Sequence, residues 1–191
     1  MKFTRTTIAD VIIIEPEVHG DGRGYFIETY RQDKLEAFVG HKINFVQDNE
    51  SKSSRGVLRG LHYQLAPAAQ SKLVRVIQGK VLDVAVDVRD GSPTFGQYVA
   101  VELSEKNKRQ LFVPRGFAHG FLVLEDDTIF AYKVDNFYSP ENDRGIAFND
   151  PAININWEID ISELMLSEKD TKQPLLVDAD LFNYGDNQYA N

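Results

Sequence analysis

The segment "KLVRVIQGKVLDVAVDVR", residues 72–89, decides the fold class. Its second half alternates: Val81, Asp83, Ala85 and Asp87 share one face of an extended chain, and Leu82, Val84, Val86 and Val88 share the other. Its first half, "KLVRVIQ", is also rich in β-branched residues. The "QGK" between them reads as a hairpin-like turn. The same rhythm runs outward in both directions. "VIIIEPEV" (11–18) is β-branched and ends at a proline, and "YFIETY" (25–30) alternates. "QYVAVEL", "RQLFVP", "RGFAHGFLVL" and "TIFAYKVDNFY" follow downstream, separated by turns such as "GSPTFG". Strands recurring at about 8–12-residue spacing indicate an antiparallel sandwich or barrel. A jelly roll suits the length and leaves a barrel mouth for a ligand.

One helix interrupts this pattern. In "RQDKLEAFVG" (31–40), Leu35, Phe38 and Val39 have helical spacing and Gly40 supplies the stop. "HGDGRG" (19–24) is a turn or loop. "DISELMLSEKD" (160–170) includes a helical turn or two. No linker or repeat divides the chain, so a single domain over 1–191 is expected.

Composition narrows the function. The chain is 42% hydrophobic and 11% aromatic, enough for a real core. It has no cysteine, which excludes disulfides, thiolate metal sites and cysteine nucleophiles. No apolar run reaches the roughly 18 residues needed to cross a bilayer. The patch Val11–Ile14 is too short for a signal-peptide core. A cytoplasmic protein is expected. The formal net charge of −8 disfavours nucleic-acid and anionic-membrane partners. An anionic small ligand would need a local basic cluster.

The stretch "GVLRGLHYQ" (56–64) carries Arg59 and one of four histidines, His62. In a regular strand these two would point to opposite faces, and a bulge or bend at Gly60 would turn both to one cavity. "PRGFAH" (114–119) matches half of a cupin-type metal pattern, but the paired histidines of the other half are absent, so metal is not favoured. There is no G-x-S-x-G elbow. General acid–base chemistry remains, with His62, Lys72 and Tyr132 as candidates. Each has a plainer reading: a core histidine, a solvated strand end, and a tyrosine packed with Phe130 and Val134. Asp83 shares its face with Asp87, so that face is either solvent or a polar cavity. The residues by themselves reach a β-barrel domain equipped for acid–base chemistry, and stop there.

Four long motifs go further: "GDGRGYFIETY", "FVQDNESKSSRGVLRGLHYQ", residues 72–124 from "KLVRV" to "FLVL", and "YKVDNFYSPENDRGIAFNDPAININW". In this order they resemble the dTDP-4-dehydrorhamnose 3,5-epimerase family. The resemblance implies a homodimeric, mainly β, cupin-type jelly roll needing no metal or organic cofactor. It implies inversion of two centres of dTDP-4-dehydro-6-deoxy-D-glucose, giving dTDP-4-dehydro-L-rhamnose. By resemblance His62 is the base, Asp170 its carboxylate partner, Lys72 the enolate stabiliser and Tyr132 the opposing proton donor. Arg23, Glu28, Gln47, Asp48, Asn49, Arg59, His119 and Lys169 match substrate-binding positions, and Tyr138 matches the aromatic that stacks on thymine. Asp143 matches a binding position often held by glutamate. Arg23, Arg59, Lys72 and Lys169 would form the basic cluster. Asp150 of "FNDP" is a rival partner for His62, better read as a turn residue before Pro151. "VIIIEPEV" could add to a partner's sheet in the dimer. The alternatives are a single-carbon epimerase or 3,4-ketoisomerase of the same fold, a non-catalytic sugar-nucleotide-binding cupin, and a metal-dependent cupin dioxygenase.

Overall fold

The computed structural model describes residues 1–189; the last two positions of the domain expected over 1–191 lie outside the described residues. The chain is mainly β. In order come β1 (Lys2–Arg5), β2 (Ile12–Glu15), β3 (Val18–Asp21), β4 (Gly24–Ile27), helix α1 (Gln32–Val39) and β5 (Gln47–Ser53). Then follow β6 (Leu58–Gln64), β7 (Lys72–Gln78), β8 (Lys80–Asp87), β9 (Arg89–Asp90), β10 (Tyr98–Ser104) and β11 (Gln110–Val113). The last strands are β12 (Phe117–Val123), β13 (Thr128–Val134), β14 (Asp143–Gly145) and β15 (Phe182–Asn183). Single 3-10 turns at Ile161–Glu163, Asp170–Lys172 and Leu176–Asp178 punctuate the C-terminal segment.

Two antiparallel sheets face each other as a jelly-roll sandwich. The larger has the order β1-β2-β11-β7-β13-β5, and the smaller β10-β8-β12-β6-β14. Between them lies a core that includes Val74, Val76, Val81, Ala85, Val123 and Phe130. The smaller sheet is covered on its other face too. There Leu82, Val84, Val86 and Val88 pack with Phe148, Ile153, Trp157, Leu176 and Phe182 of the C-terminal segment. A strand that is apolar on both faces must be central and covered twice, and that accounts for the composition of β8.

The reading of residues 72–89 as a hairpin is corrected. β7 and β8 are consecutive, but they belong to different sheets. β7 pairs with β11 and β13, and β8 with β10 and β12. Gly79 makes the crossing with φ 78°, and a Cβ there would lie 2.3 Å from Thr128 Oγ1. Only glycine fits such a close approach at positive φ. Alternation tells which face a residue takes, but not which strand lies alongside.

α1 lies against the outer face of the larger sheet, where Leu35 packs with Ile12, Ile14, Ile43, Leu73 and Phe112. Gly40 closes the helix in the left-handed conformation, φ 86°, and its N–H donates to Glu36 O at 2.9 Å. For Ile12–Glu15, the expectation that "VIIIEPEV" adds to another chain's sheet is corrected. β2 is flanked by β1 and β11 of its own chain, so both its edges are used. Among the described residues no helix is long and apolar enough to cross a membrane.

Candidate active site

The site begins with the irregularity in β6. Across from it on β12, His119 faces His62 and Phe121 faces Arg59. β12 places one residue between these partners, Gly120, whereas β6 places two, Gly60 and Leu61. The extra residue is a β-bulge, and it resets the alternation so that Arg59 and His62 both line one cavity. Gly60 has φ 124°, and a Cβ there would fall 2.5 Å from Gly120 Cα. The bulge therefore requires glycine.

The cavity holds about 700 Å³, the size range of small-ligand sites. Its walls come from both sheets. The smaller sheet contributes Arg59, His62, His119 and Phe121, and the larger contributes Asn49, Lys72, Phe130 and Tyr132. Phe121 and Phe130 stack at 3.9 Å between ring centroids. On β13 the buried Phe130 belongs to the core, and Tyr132, two residues on, opens into the cavity. The tyrosine thus continues the core face into a polar space.

His62 is joined to Asp170 of the C-terminal segment, Nε2 to Oδ1, at 2.6 Å. Asp170 is 3% exposed, and Ser167 Oγ donates to its other oxygen at 2.7 Å. Burial pushes this carboxyl up, but the hydrogen bonds from His62 and Ser167 outweigh it and hold the group below the usual carboxylate range. An ionised Asp170 accepts from Nε2–H, which leaves Nδ1 as the basic nitrogen of His62. Asp150 does other work. Its two oxygens accept the N–H groups of Ala152 at 2.7 Å and Leu176 at 2.6 Å.

Lys72 Nζ donates to His62 O at 3.2 Å, so the amine lies beside the histidine strand. Burial lowers it from the ordinary lysine range to about 8, with Asp143 and Asp83 opposing and Lys169 assisting. Asp83, given no role from sequence, is fully buried, and both its oxygens lie 3.0 Å from His119 Nε2. Burial pushes the Asp83 carboxyl up, against the pull of His119 and Lys72. Its signal in the sequence was a carboxylate in the middle of a strand whose only other acid, Asp87, stands at the strand's end. Burial likewise raises the Tyr132 phenol, against the pull of Arg59, so that it keeps its proton.

A second lobe of about 350 Å³ shares Asn49, His62, Lys72, Tyr132 and Lys169 with the first and adds Gln47, Tyr138 and Asp143. Gln47 Nε2 donates to Asn49 Oδ1 at 2.9 Å. Tyr138 donates through its hydroxyl to Asp143 Oδ2 at 3.1 Å, and Lys169 holds the same oxygen. The Tyr138 ring is 58% exposed, a free aromatic face at the mouth. Arg59, Lys72 and Lys169 give this acidic protein a local concentration of positive charge.

Three of the residues singled out from sequence lie elsewhere. Asp48 stands between Gln47 and Asn49, so the period of two turns it to the opposite face, where Lys133 Nζ holds both its oxygens at 2.8 Å. Arg23 sits in the turn of the β3–β4 ribbon and is bound to neighbouring Asp21. Glu28 pairs with Arg31 and Lys34. Among the described residues no group of three or more His, Cys, Asp or Glu side chains is arranged to hold a metal.

Comparison with known proteins gives a consistent match. The family model described as dTDP-4-dehydrorhamnose 3,5-epimerase matches residues 5–178. The protein of that name from Shigella flexneri is 56% identical over 182 residues, covering 95% of this chain and 99% of the relative. A crystal structure of the Legionella pneumophila dTDP-6-deoxy-D-glucose-3,5-epimerase, in complex with dTDP-4-keto-L-rhamnose, is similar with TM-score 0.92. It is 47% identical, covering 97% of this chain and 99% of that one. A 3'-monoepimerase from Streptomyces bikiniensis, in complex with dTDP-quinovose, is similar with TM-score 0.86 at 35% identity, covering 91% of this chain and 87% of that one.

Proposed function

The chain belongs to the dTDP-4-dehydrorhamnose 3,5-epimerase family, and we propose that its cavity inverts carbons 3 and 5 of dTDP-4-dehydro-6-deoxy-D-glucose to give dTDP-4-dehydro-L-rhamnose. One observation carries the mechanism. His62 stands on the smaller sheet and Tyr132 on the larger, with the cavity between them. A sugar ring held there has a base on one face and an acid on the other, which is what inversion demands.

The chemistry follows from the substrate. The 4-ketone acidifies the protons on carbons 3 and 5. His62 Nδ1 takes one of these protons, and the electron pair moves onto the C4 oxygen as an enolate. The Lys72 ammonium stabilises that oxygen. Tyr132 then gives its proton to the same carbon from the opposite face. Solvent removes the proton from His62 and restores the one on Tyr132, and the second carbon repeats the sequence. No step draws on a metal or an organic cofactor. Arg59 and Lys169 hold the diphosphate, with Arg59 suited to two parallel hydrogen bonds. Gln47, Asn49 and Asp143 contact the ligand, Tyr138 stacks on thymine, and His119, steadied by Asp83, meets the sugar.

Arg23 and Glu28 extend the proposal to a homodimer acting in the cytoplasm. Their ribbon carries Tyr25, 59% exposed, and Phe26, 70% exposed, unusual for a two-stranded ribbon standing clear of the core. A second copy that covers these rings would bring Arg23 and Glu28 to its nucleotide site. Sedimentation that gave the single-chain mass of 21.7 kDa at working concentration would remove this part.

The decisive test incubates the 4-keto substrate with enzyme in deuterium oxide containing a chelator. Deuterium is expected at both carbons 3 and 5. Incorporation at carbon 3 alone would make the chain a single-carbon epimerase, the activity named for the Streptomyces bikiniensis neighbour. Tyr132→Phe should lower formation of the doubly inverted product by about 100-fold while some exchange persists, since His62 still abstracts protons. Unchanged product formation by that variant would remove Tyr132 from the mechanism.

A further inference from the structure

Lys72 is the first residue of β7, where three strands of the larger sheet end together. Lys72 is flanked by Val113 of β11 and Val134 of β13. Immediately beyond that point lies a closed polar cluster that the mechanism does not use. Ser71 N–H donates to Asp135 Oδ1 at 2.6 Å, and Asp135 N–H returns to Ser71 O at 3.3 Å. Arg115 Nε donates to Asp135 Oδ2 at 3.1 Å. Ser71 is fully buried, and the Asp135 side chain is 3% exposed.

The last partner comes from far along the chain. After β15 the backbone runs over the surface, with residues 183–187 exposed, and re-enters at Tyr189. The Tyr189 hydroxyl lies 2.8 Å from Ser71 Oγ and accepts the Arg115 N–H at 3.3 Å. Arg115 also donates from Nη1 to Gln188 O at 3.1 Å. The Tyr189 ring packs on His41 at 4.0 Å, with the Arg115 guanidinium over it at 5.1 Å. Removing this hydroxyl would leave the buried Ser71 hydroxyl without that partner.

We propose that the segment 183–189 is a strap, and that Tyr189 is a positioning residue which fastens the Ser71–Asp135–Arg115 cluster and thereby fixes the start of β7 and the reach of Lys72 into the cavity. The proposal rests on the epimerase reading for what Lys72 does, but not for where Lys72 is held. The groups that face Lys72 are Asp83 from β8, Asp143 from β14, Lys169 from the C-terminal segment and the His62 carbonyl from β6. None belongs to the strap, so any effect of Tyr189 on Lys72 must travel through the backbone at Ser71. Displacements of about an ångström are enough to slow a positioned reaction by up to about 100-fold.

Tyr189→Phe keeps the ring and deletes only the hydroxyl. The expected result is a roughly 10-fold lower kcat with KM within about twofold, since the binding groups stay in place. The pH at which the Lys72 amine becomes reactive to reductive methylation, followed without substrate, should move up toward the ordinary lysine range as water gains access. Ser71→Ala should give the same changes. The double variant should be no worse than Tyr189→Phe alone, because the serine change removes only the Ser71–Tyr189 link that the tyrosine change has already removed together with the acceptor of the Arg115 N–H. A Tyr189→Phe enzyme with wild-type kcat and an unmoved Lys72 titration would overturn the proposal. A lower unfolding midpoint with the Lys72 titration unmoved would also overturn it, leaving the strap a purely structural tie. If the wild type fails to act on the 4-keto substrate, the functional reading falls, and the methylation experiment still decides the strap.

Discussion

His62→Ala abolishes deuterium entry at both carbon 3 and carbon 5 and lowers kcat by about a thousandfold, the range expected for loss of a general base. The prediction is strong because the site offers no substitute. Asp170 is 3% exposed and committed to Ser167 and the histidine, so alanine at 62 leaves it buried with no path to the sugar. His119 is the other imidazole in the cavity, but its Nε2 is held between the two oxygens of Asp83. The Arg59, Lys169 and Tyr138 positions are untouched, so dTDP should bind with little change. A variant that still exchanged one carbon at the wild-type rate would mean that a second base serves that carbon, and the single-base mechanism would fall. Loss of dTDP binding alongside activity would instead point to collapse of β6.

How far the sequence carried depended on whether a feature was local. Period-two patterning identified the central strands β7, β8 and β10–β13, Leu35 and Gly40 marked the one helix, and Gly60 was recognisable as the place for a bulge; β5 carried no such pattern, and "HGDGRG", read as a turn or loop, gives its first residues to β3 and its last to β4. What was read correctly follows from the chain's immediate sterics. Strand pairing does not. "QGK" has the composition of a hairpin turn, but β7 and β8 go to different sheets, because the choice rests on strands far along the chain. The His62–Asp170 contact spans 108 residues, and no spacing rule reaches that far. It came from the family's motifs, as did the separate roles of Lys72 and Tyr132, which the residues alone had named only as acid–base candidates. Asp48 is the instructive opposite. Read as one of a contiguous binding triplet, it overlooks that successive residues of a strand face opposite ways, and β5 turns it away from the cavity. Asp83 was legible only in part: the sequence left its face as solvent or a polar cavity, and it is the covering of β8 on both faces that obliges the carboxylate to meet a buried partner.

Lys72→Met separates the two demands that a partly buried cation makes on this fold. In the native enzyme burial holds the amine at about 8. The ammonium is therefore present below that pH and lost as pH rises through it, so kcat/KM of the native enzyme should fall on the alkaline side with a midpoint near 8. Methionine fills a similar volume without charge. Its enzyme should be slower by about 100- to 1,000-fold, the usual cost of removing one group that stabilises a developing oxyanion, and that alkaline limb should vanish. Stability should move the other way. A lysine whose folded pKa lies below its unfolded one destabilises the fold fully below the folded value, and this penalty fades as pH climbs to the unfolded value. At pH 7 the native enzyme carries the whole penalty, and the methionine variant carries none. Its urea midpoint at pH 7 should be equal to or higher than the native one, and the difference should shrink above pH 8. A Lys72→Met enzyme that keeps both its rate and an alkaline limb near 8 would show that another group titrates there and that the enolate finds its positive charge elsewhere, with Lys169, the cavity's other lysine, the first to examine.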